Sequence, residues 1–280
     1  MPRDVPMPHV AWRANLSLAF ERRAGRTILA SRRHEGPLVV QKALHPEGDA
    51  VCHAIVVHPP GGIAGGDELS VDVRADRDAY ALLTTPGAAK WYRSAGAVAR
   101  QRVRIECAAG SLVEWLPQES IVFDGAIASL AFDARLEGDA RLIAWDIVCL
   151  GRTGSGERLA RGSVRLDARV TRDERALWIE RGALEPGSPA IDSPAGLAGR
   201  TVFGTLVVAG AEIGDEALSA CRAERPAEGE GGVTRMPHLF LARYRGDSTE
   251  AARRYFTALW RILRPSVAGR AATEPRIWRT

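Results

Sequence analysis

Alternation of apolar and polar residues is what most limits the folds open to this chain. Leu69, Val71 and Val73 alternate with Glu68, Ser70, Asp72 and Arg74, and Val103, Ile105 and Cys107 alternate with Arg102, Arg104 and Glu106. Leu130, Phe132, Ala134 and Leu136 face away from Asp133, Arg135 and Glu137. Val164, Leu166, Ala168 and Val170 do the same against Ser163, Arg165, Asp167 and Arg169. A side-chain period of two belongs to a β-strand with one wet face. Apolar runs at 54–57, 80–85, 143–150 and 201–208 predict more deeply buried strands. Helical periods are scarce between them, so parallel βαβ units are disfavoured and a β-rich, largely antiparallel architecture is expected.

One helix stands out near the C-terminus. Asp247 with Glu250 three residues on fits an N-cap box, and Ala252, Tyr255, Phe256, Leu259, Ile262 and Leu263 share one face before Pro265 stops the run. Residues 182–199 and 222–232 read as surface loops and not as linkers. No internal repeat is visible. The 280 residues are therefore expected to form a single domain, 1–280.

Charge excludes more than it identifies. The net charge of +4 comes from basic residues interleaved with acids, which is not the stripe that nucleic acid requires. No apolar run approaches a membrane span and the N-terminus has no signal pattern, so a cytoplasmic protein is expected. Cys52, Cys107, Cys149 and Cys221 are scattered without a C-x-x-C and fit buried thiols in a reducing compartment.

His58-Pro59-Pro60-Gly61-Gly62-Ile63-Ala64-Gly65-Gly66-Asp67 is the strongest local signal. Four glycines behind a rigid Pro-Pro mark a tight, specific turn with one carboxylate at its exit. It is no phosphate loop, because no Lys-Ser or Lys-Thr follows. Residues 151–158 fail likewise, with Glu157 and Arg158 where Lys and Ser/Thr are needed. There is no G-x-S-x-G, no H-E-x-x-H and no paired Cys motif. Cys52, His53 and His58 lie close in sequence, but the two histidines would point to opposite faces of a strand, which favours a structural role for at least one.

What remains is a set of lone charges beside strongly ordering neighbours: Asp67 after the Gly-Gly turn, Lys90 before Trp91-Tyr92, Asp146 inside an apolar run, Arg152, Glu157, and Glu180 after Trp178-Ile179. They admit two readings. Asp146 and Arg152 form a buried ion pair while Asp67 caps a turn, or the carboxylates line a polar passage that offers a divalent ion weak, successive ligands. Spacing does not decide between them.

Thr84-Thr85-Pro86-Gly87-Ala88-Ala89-Lys90-Trp91-Tyr92-Arg93-Ser94, Glu114-Trp115-Leu116-Pro117-Gln118-Glu119, Trp145-Asp146-Ile147-Val148-Cys149-Leu150-Gly151-Arg152, Ser155-Gly156-Glu157 and Pro275-Arg276-Ile277-Trp278-Arg279-Thr280 follow the glycine turn in order. With Gly36-Pro37-Leu38-Val39-Val40-Gln41 before it, this ordered set resembles the UreD (UreH) urease accessory proteins over nearly the whole chain. Ala89 stands where many relatives carry serine, and His45 where tyrosine is frequent.

The resemblance implies a mainly β fold, a β-superhelix of many short strands with a few helices near its end. It implies a non-enzymatic nickel metallochaperone scaffold for urease maturation, with apo-urease on one side and UreF, which recruits the GTPase UreG, on the other. It implies no tightly bound cofactor but transient Ni²⁺, in a charged passage where Asp67, Asp146, Glu180 and Glu157 would meet the metal and Lys90 and Arg152 would supply polar structure. Tyr255, Phe256, Trp260 and Trp278 would meet a partner, and a dimeric state within the accessory complex stays open. The rivals are a pure adaptor that never touches metal, and a hydrolase using Asp67, Asp146 and Glu157 as acid/base groups.

Overall fold

The computed structural model describes residues 11–279. The reading of the extreme N-terminus and the last residue of the closing motif, Thr280, lie outside that range. Strands account for 48% of the chain and helices for 15%, arranged as a β-solenoid of about four turns.

The two kinds of strand pattern sort into two sheets. The alternating segments form the outer sheet, with strand order β14-β13-β11-β8-β5-β1-β2. These are β1 (Arg13–Arg23), β2 (Arg26–Glu35), β5 (Glu68–Ala75), β8 (Ala99–Cys107), β11 (Ile127–Leu136), β13 (Ser163–Arg172) and β14 (Arg175–Leu184). The apolar runs form the inner sheet, in the order β16-β17-β15-β12-β9-β6-β4-β3. These are β3 (Val39–Leu44), β4 (Cys52–Val57), β6 (Tyr80–Thr84), β9 (Leu112–Trp115), β12 (Arg141–Leu150), β15 (Val202–Ala209), β16 (Glu230–Met236) and β17 (Leu239–Gly246), and the short β7 (Ala89–Trp91) and β10 (Ser120–Val122) pair beside β12.

The chain passes from outer to inner sheet and back once per coil, so successive strands of a sheet run the same way. Strand pairing is therefore parallel through the middle of both sheets, in β1·β5, β5·β8, β8·β11 and β11·β13 and in β4·β6, β6·β9 and β9·β12. This corrects the expectation of a largely antiparallel fold. Parallel strands need a crossover, and here the opposite sheet supplies it, so no helix is required. Antiparallel pairs close the ends, at β1·β2, β3·β4, β13·β14 and β12·β15·β17·β16. The coil is also a repeat that the sequence hides. Glu68 pairs with Arg100, Ala99 with Ala128 and Ile127 with Ser163, steps of 32, 29 and 36 residues.

The inner sheet is covered on both faces. Between the sheets, Leu16, Val71 and Ile105 of the outer sheet meet Ala54, Val113 and Val207 of the inner. On its far side, Leu82, Leu206 and Phe240 meet the helices α2 (Asp215–Ala223) and α3 (Thr249–Ala268). A short α1 (Pro189–Asp192) lies in the segment read as a loop, and β14 and β16 each reach into the segments assigned to loops. The cap of α3 is Ser248, whose hydroxyl accepts the Ala251 N–H at 3.1 Å. Asp247 binds Arg200 and Thr201 instead. Pro265 lies inside α3, and Gly269 at φ +65° ends it. The helix tolerates the missing donor because Leu263, Arg264 and Val267 are buried across that point. No helix among the described residues is long and apolar enough to cross a membrane.

Candidate functional site

The glycine-rich turn is packed from both sides. A Cβ on Gly62 would lie 2.2 Å from the ring of Tyr92, and Gly66 sits at φ +95°, where a side chain is strained. The Ile63 N–H donates to the Lys90 carbonyl at 2.7 Å and Ile63 accepts from the Tyr92 N–H at 2.8 Å, so the turn is zipped onto β7. Asp67 closes it. Its carboxylate accepts the Ala64 N–H and the Trp12 N–H, each at 2.8 Å, and is 4% exposed.

Behind this turn, a cavity of about 400 Å³ opens between the sheets. Val56, Val71, Val103, Leu166 and Val207 give it hydrocarbon walls, and His58, Lys90, Gln118, Asp146, Asp167 and Glu180 are among the polar residues on them. Along β12, Ala144 and Val148 face the other sheet while Trp145 and Ile147 face the helices, so Asp146 faces the cavity. Burial pushes its carboxyl up to about 6, opposed by the Ile147 N–H and reinforced by the negative charge of Glu180. No cation pairs with Asp146 among the described residues. Glu180 reaches in from β14 and is held by Arg243, whose Nη1 donates to Oε1 at 2.7 Å and to Thr205 Oγ1 at 2.8 Å. Asp146, Thr205 and Arg243 form one row across β12, β15 and β17. Arg243 was invisible to the sequence reading, although its alternation with Leu239 and Leu241 would have placed it on this face.

His58, just beyond the end of β4, also lines the cavity, and its Nε2 is buried without a hydrogen-bond partner among the described residues. Burial holds its imidazole below the usual histidine range, against the pull of Asp67. Lys90 is exposed on the rim and forms no ion pair among the described residues.

Arg152 and Glu157 lie elsewhere. They pair with each other on the loop after β12, with Arg152 Nη2 donating to Glu157 Oε2 at 2.6 Å and the guanidinium 4.8 Å from the Phe123 ring centroid. That hydrogen bond, outweighing burial, holds Glu157 down at about 2. The Asp146–Arg152 ion pair is not formed. Of the four carboxylates singled out, the fold brings together Asp146 and Glu180, while Asp67 and Glu157 serve local turns. The set Asp67, Asp146 and Glu157 that a hydrolase needs is dispersed. Among the described residues, no three His, Cys, Asp or Glu side chains are grouped to hold a metal ion.

A family profile described as UreD urease accessory protein matches residues 13–279. The chain belongs to the UreD family. A urease accessory protein UreD of Azoarcus sp. (strain BH72) is 57% identical over 270 residues, covering 96% of this chain and 94% of that protein. Those of Dechloromonas aromatica (strain RCB) and Pseudomonas aeruginosa (strain PAO1) are each 51% identical, over 100% and 97% of this chain and 99% and 96% of theirs. These UreD relatives are named as accessory proteins, which implies a non-catalytic role.

In this UreD chain a second polar cluster lies on the dry side of the inner sheet. Arg264 is fully buried on α3. Its Nη1 and Nη2 clamp Glu47 at 2.7 and 2.8 Å, and its Nε donates to Glu114 at 2.9 Å. Glu114 also accepts from Trp260 Nε1 at 2.5 Å and from the Tyr80 hydroxyl, and His53 joins Glu47 at 2.7 Å. Burial raises the Glu47 carboxyl, but hydrogen bonds from His53 and Arg264 outweigh it and leave the group below its usual value. His53 therefore has the structural role foreseen for one of the two histidines. The one clue to Arg264 in the sequence is a charge on the apolar face of the helix.

The aromatic face assigned to a partner is turned inward. Tyr255 is 3% exposed, and Phe256 and Trp260 are fully buried. Trp278 packs 5.6 Å from Trp145 and 5.8 Å from Trp260, its Nε1 donating to Thr84 Oγ1 at 2.8 Å. The reason is demand: the far face of the inner sheet is apolar and needs a cover. Tyr255, Phe256 and Trp260 hold the helical layer in place, and the half-buried Trp278 packs at its edge.

Proposed function

We propose that this protein is a non-catalytic scaffold of urease maturation that passes Ni²⁺ through the cavity between its sheets. It binds apo-urease on one side and UreF, with UreG behind it, on the other, and works in the cytoplasm as one unit. GTP hydrolysis belongs to UreG. No metal is resident here; Ni²⁺ is cargo, held transiently.

The observation that carries this reading is Asp146. A half-buried carboxylate set among hydrocarbon walls, with no cation paired to it among the described residues, is a costly arrangement unless something positive visits it. Glu180 stands in the same cavity but is restrained by Arg243, so the two oxygens offer unequal, weak holds and not a closed chelate. Weak successive ligands let an ion move on.

The test is co-expression with the other accessory proteins and the urease subunits. Asp146→Ala should leave the accessory complex intact on co-purification while urease nickel content falls severalfold. Normal nickel content in Asp146→Ala and Glu180→Ala together would leave the protein as an adaptor that never touches metal.

A further inference from the structure

Resting on the conduit reading above, we infer that His58 is the contact that gives the cavity its preference for Ni²⁺ over hard divalent ions. Two histidines lie on or next to β4: His53 is buried within the strand, and His58 follows its end, half-buried, with only its Nε2 shut off from the surface. His53 is engaged by Glu47 at 2.7 Å. His58 Nε2 is as dry but has no partner among the described residues. An unsatisfied buried ring nitrogen costs about 1–3 kcal/mol and calls for an occupant.

The loop fixes this ring. His58 precedes Pro59-Pro60, and its carbonyl accepts the Gly61 N–H at 3.0 Å, so the backbone on its C-terminal side is a closed turn. Asp67 closes the far end of the same loop.

Chemistry then separates the two parts of the cavity. Carboxylates such as Asp146 and Glu180 hold Mg²⁺ and Ca²⁺ as readily as Ni²⁺, because hard cations ask only for oxygen. An imidazole nitrogen suits late first-row metals and adds little for Mg²⁺ or Ca²⁺. Position argues for a separate contact. His58 follows the end of β4, and β4 and β12 are three strand spacings apart in the inner sheet, about 14 Å between backbones, which sets its contact apart from that of Asp146. His58 takes the ion with water completing its coordination and the carboxylates receive it later.

The experiment titrates Ni²⁺, and separately Mg²⁺, into the full-length protein and its His58→Gln and Asp146→Asn variants by calorimetry. Since Nε2 has no bond to lose, His58→Gln should keep the parental denaturation midpoint. Its Ni²⁺ affinity should fall by about tenfold or more with Mg²⁺ binding unchanged, and Cu²⁺-loaded protein should lose one nitrogen coupling in its electron paramagnetic resonance spectrum. Asp146→Asn should weaken both metals. If His58→Gln leaves Ni²⁺ affinity unchanged, or weakens both metals alike, the selectivity role is overturned. The conduit reading survives that result as long as Asp146→Asn still weakens Ni²⁺. If His58→Gln abolishes Ni²⁺ binding and Asp146→Asn changes nothing, the histidine contact stands and the carboxylate conduit falls.

Discussion

Glu114 and Asp146 sit on neighbouring strands of the same sheet, β9 and β12, and face opposite sides. On the dry side, Glu114 is fully buried and receives Arg264, Trp260 and Tyr80. On the cavity side, Asp146 receives no side-chain donor among the described residues, and burial pushes it up to about 6. The residue types are nearly the same and the roles differ. A carboxylate that is fully compensated fixes structure, and one that is left uncompensated is available to a passing cation.

The sharpest way to break this contrast is to remove the compensation. Arg264→Ala strands Glu47 and Glu114 in the interior and should cost about 3–5 kcal/mol, read as a lower urea midpoint. Replacing the set together, with Arg264→Met, Glu47→Gln and Glu114→Gln, should recover much of that loss. If Arg264→Ala unfolds no more easily than the parent, the dry cluster is not what fastens α3.

Asp67→Ala comes next. It leaves the Ala64 and Trp12 amides without their acceptor and should cost about 2–3 kcal/mol. Protease cleavage within 61–67 should rise with it. Unchanged cleavage would mean that the glycine turn holds itself.

Asp146→Asn should act in the other direction. The folded-state pKa is raised, so the ionised form costs stability. That cost appears as pH rises above about 4 and is complete above about 6. The variant should therefore be more stable than the parent at pH 7.5, with the gap closing near pH 4. A two-unit shift sets an upper bound of about 3 kcal/mol, and partial exposure reduces it to the order of 1. A parent and variant with parallel stability curves would show that Asp146 is neutralised by something else.

The sequence reading and the structure agree where local periodicity suffices. Alternation separates outer-sheet strands from inner-sheet runs because the inner sheet is wet on neither face. Strand direction was misread because pairing is not encoded in a period of two, and coil steps of 32, 29 and 36 residues leave no repeat to find. Asp146 and Glu180 were legible as lone charges in apolar runs. Their meeting across two sheets, and the arginine that restrains Glu180, depend on contacts distant in sequence. Arg264 was hidden for the same reason: its partners Glu47 and Glu114 are 217 and 150 residues away. Tyr255, Phe256 and Trp260 pack on their own sheet, a use the sequence does not distinguish from a partner face, because an amphipathic helix shows the same pattern under either cover.

The smallest effect belongs to the pair that the cavity leaves out. Arg152 and Glu157 make a short, well-aligned bond, but Arg152 is half exposed and solvent screens it. Glu157 has a second anchor in the Asp124 N–H at 3.1 Å, so its loop keeps a tie when the arginine is gone. Arg152→Ala should leave the denaturation midpoint within error of the parent at physiological salt, and urease nickel content unchanged. A loss of nickel at unchanged stability would return Arg152 to the ion's route and extend that route beyond the cavity walls. A loss of stability as large as that of Asp67→Ala would show that the Phe123 stacking, and not the ion pair, is what the loop depends on.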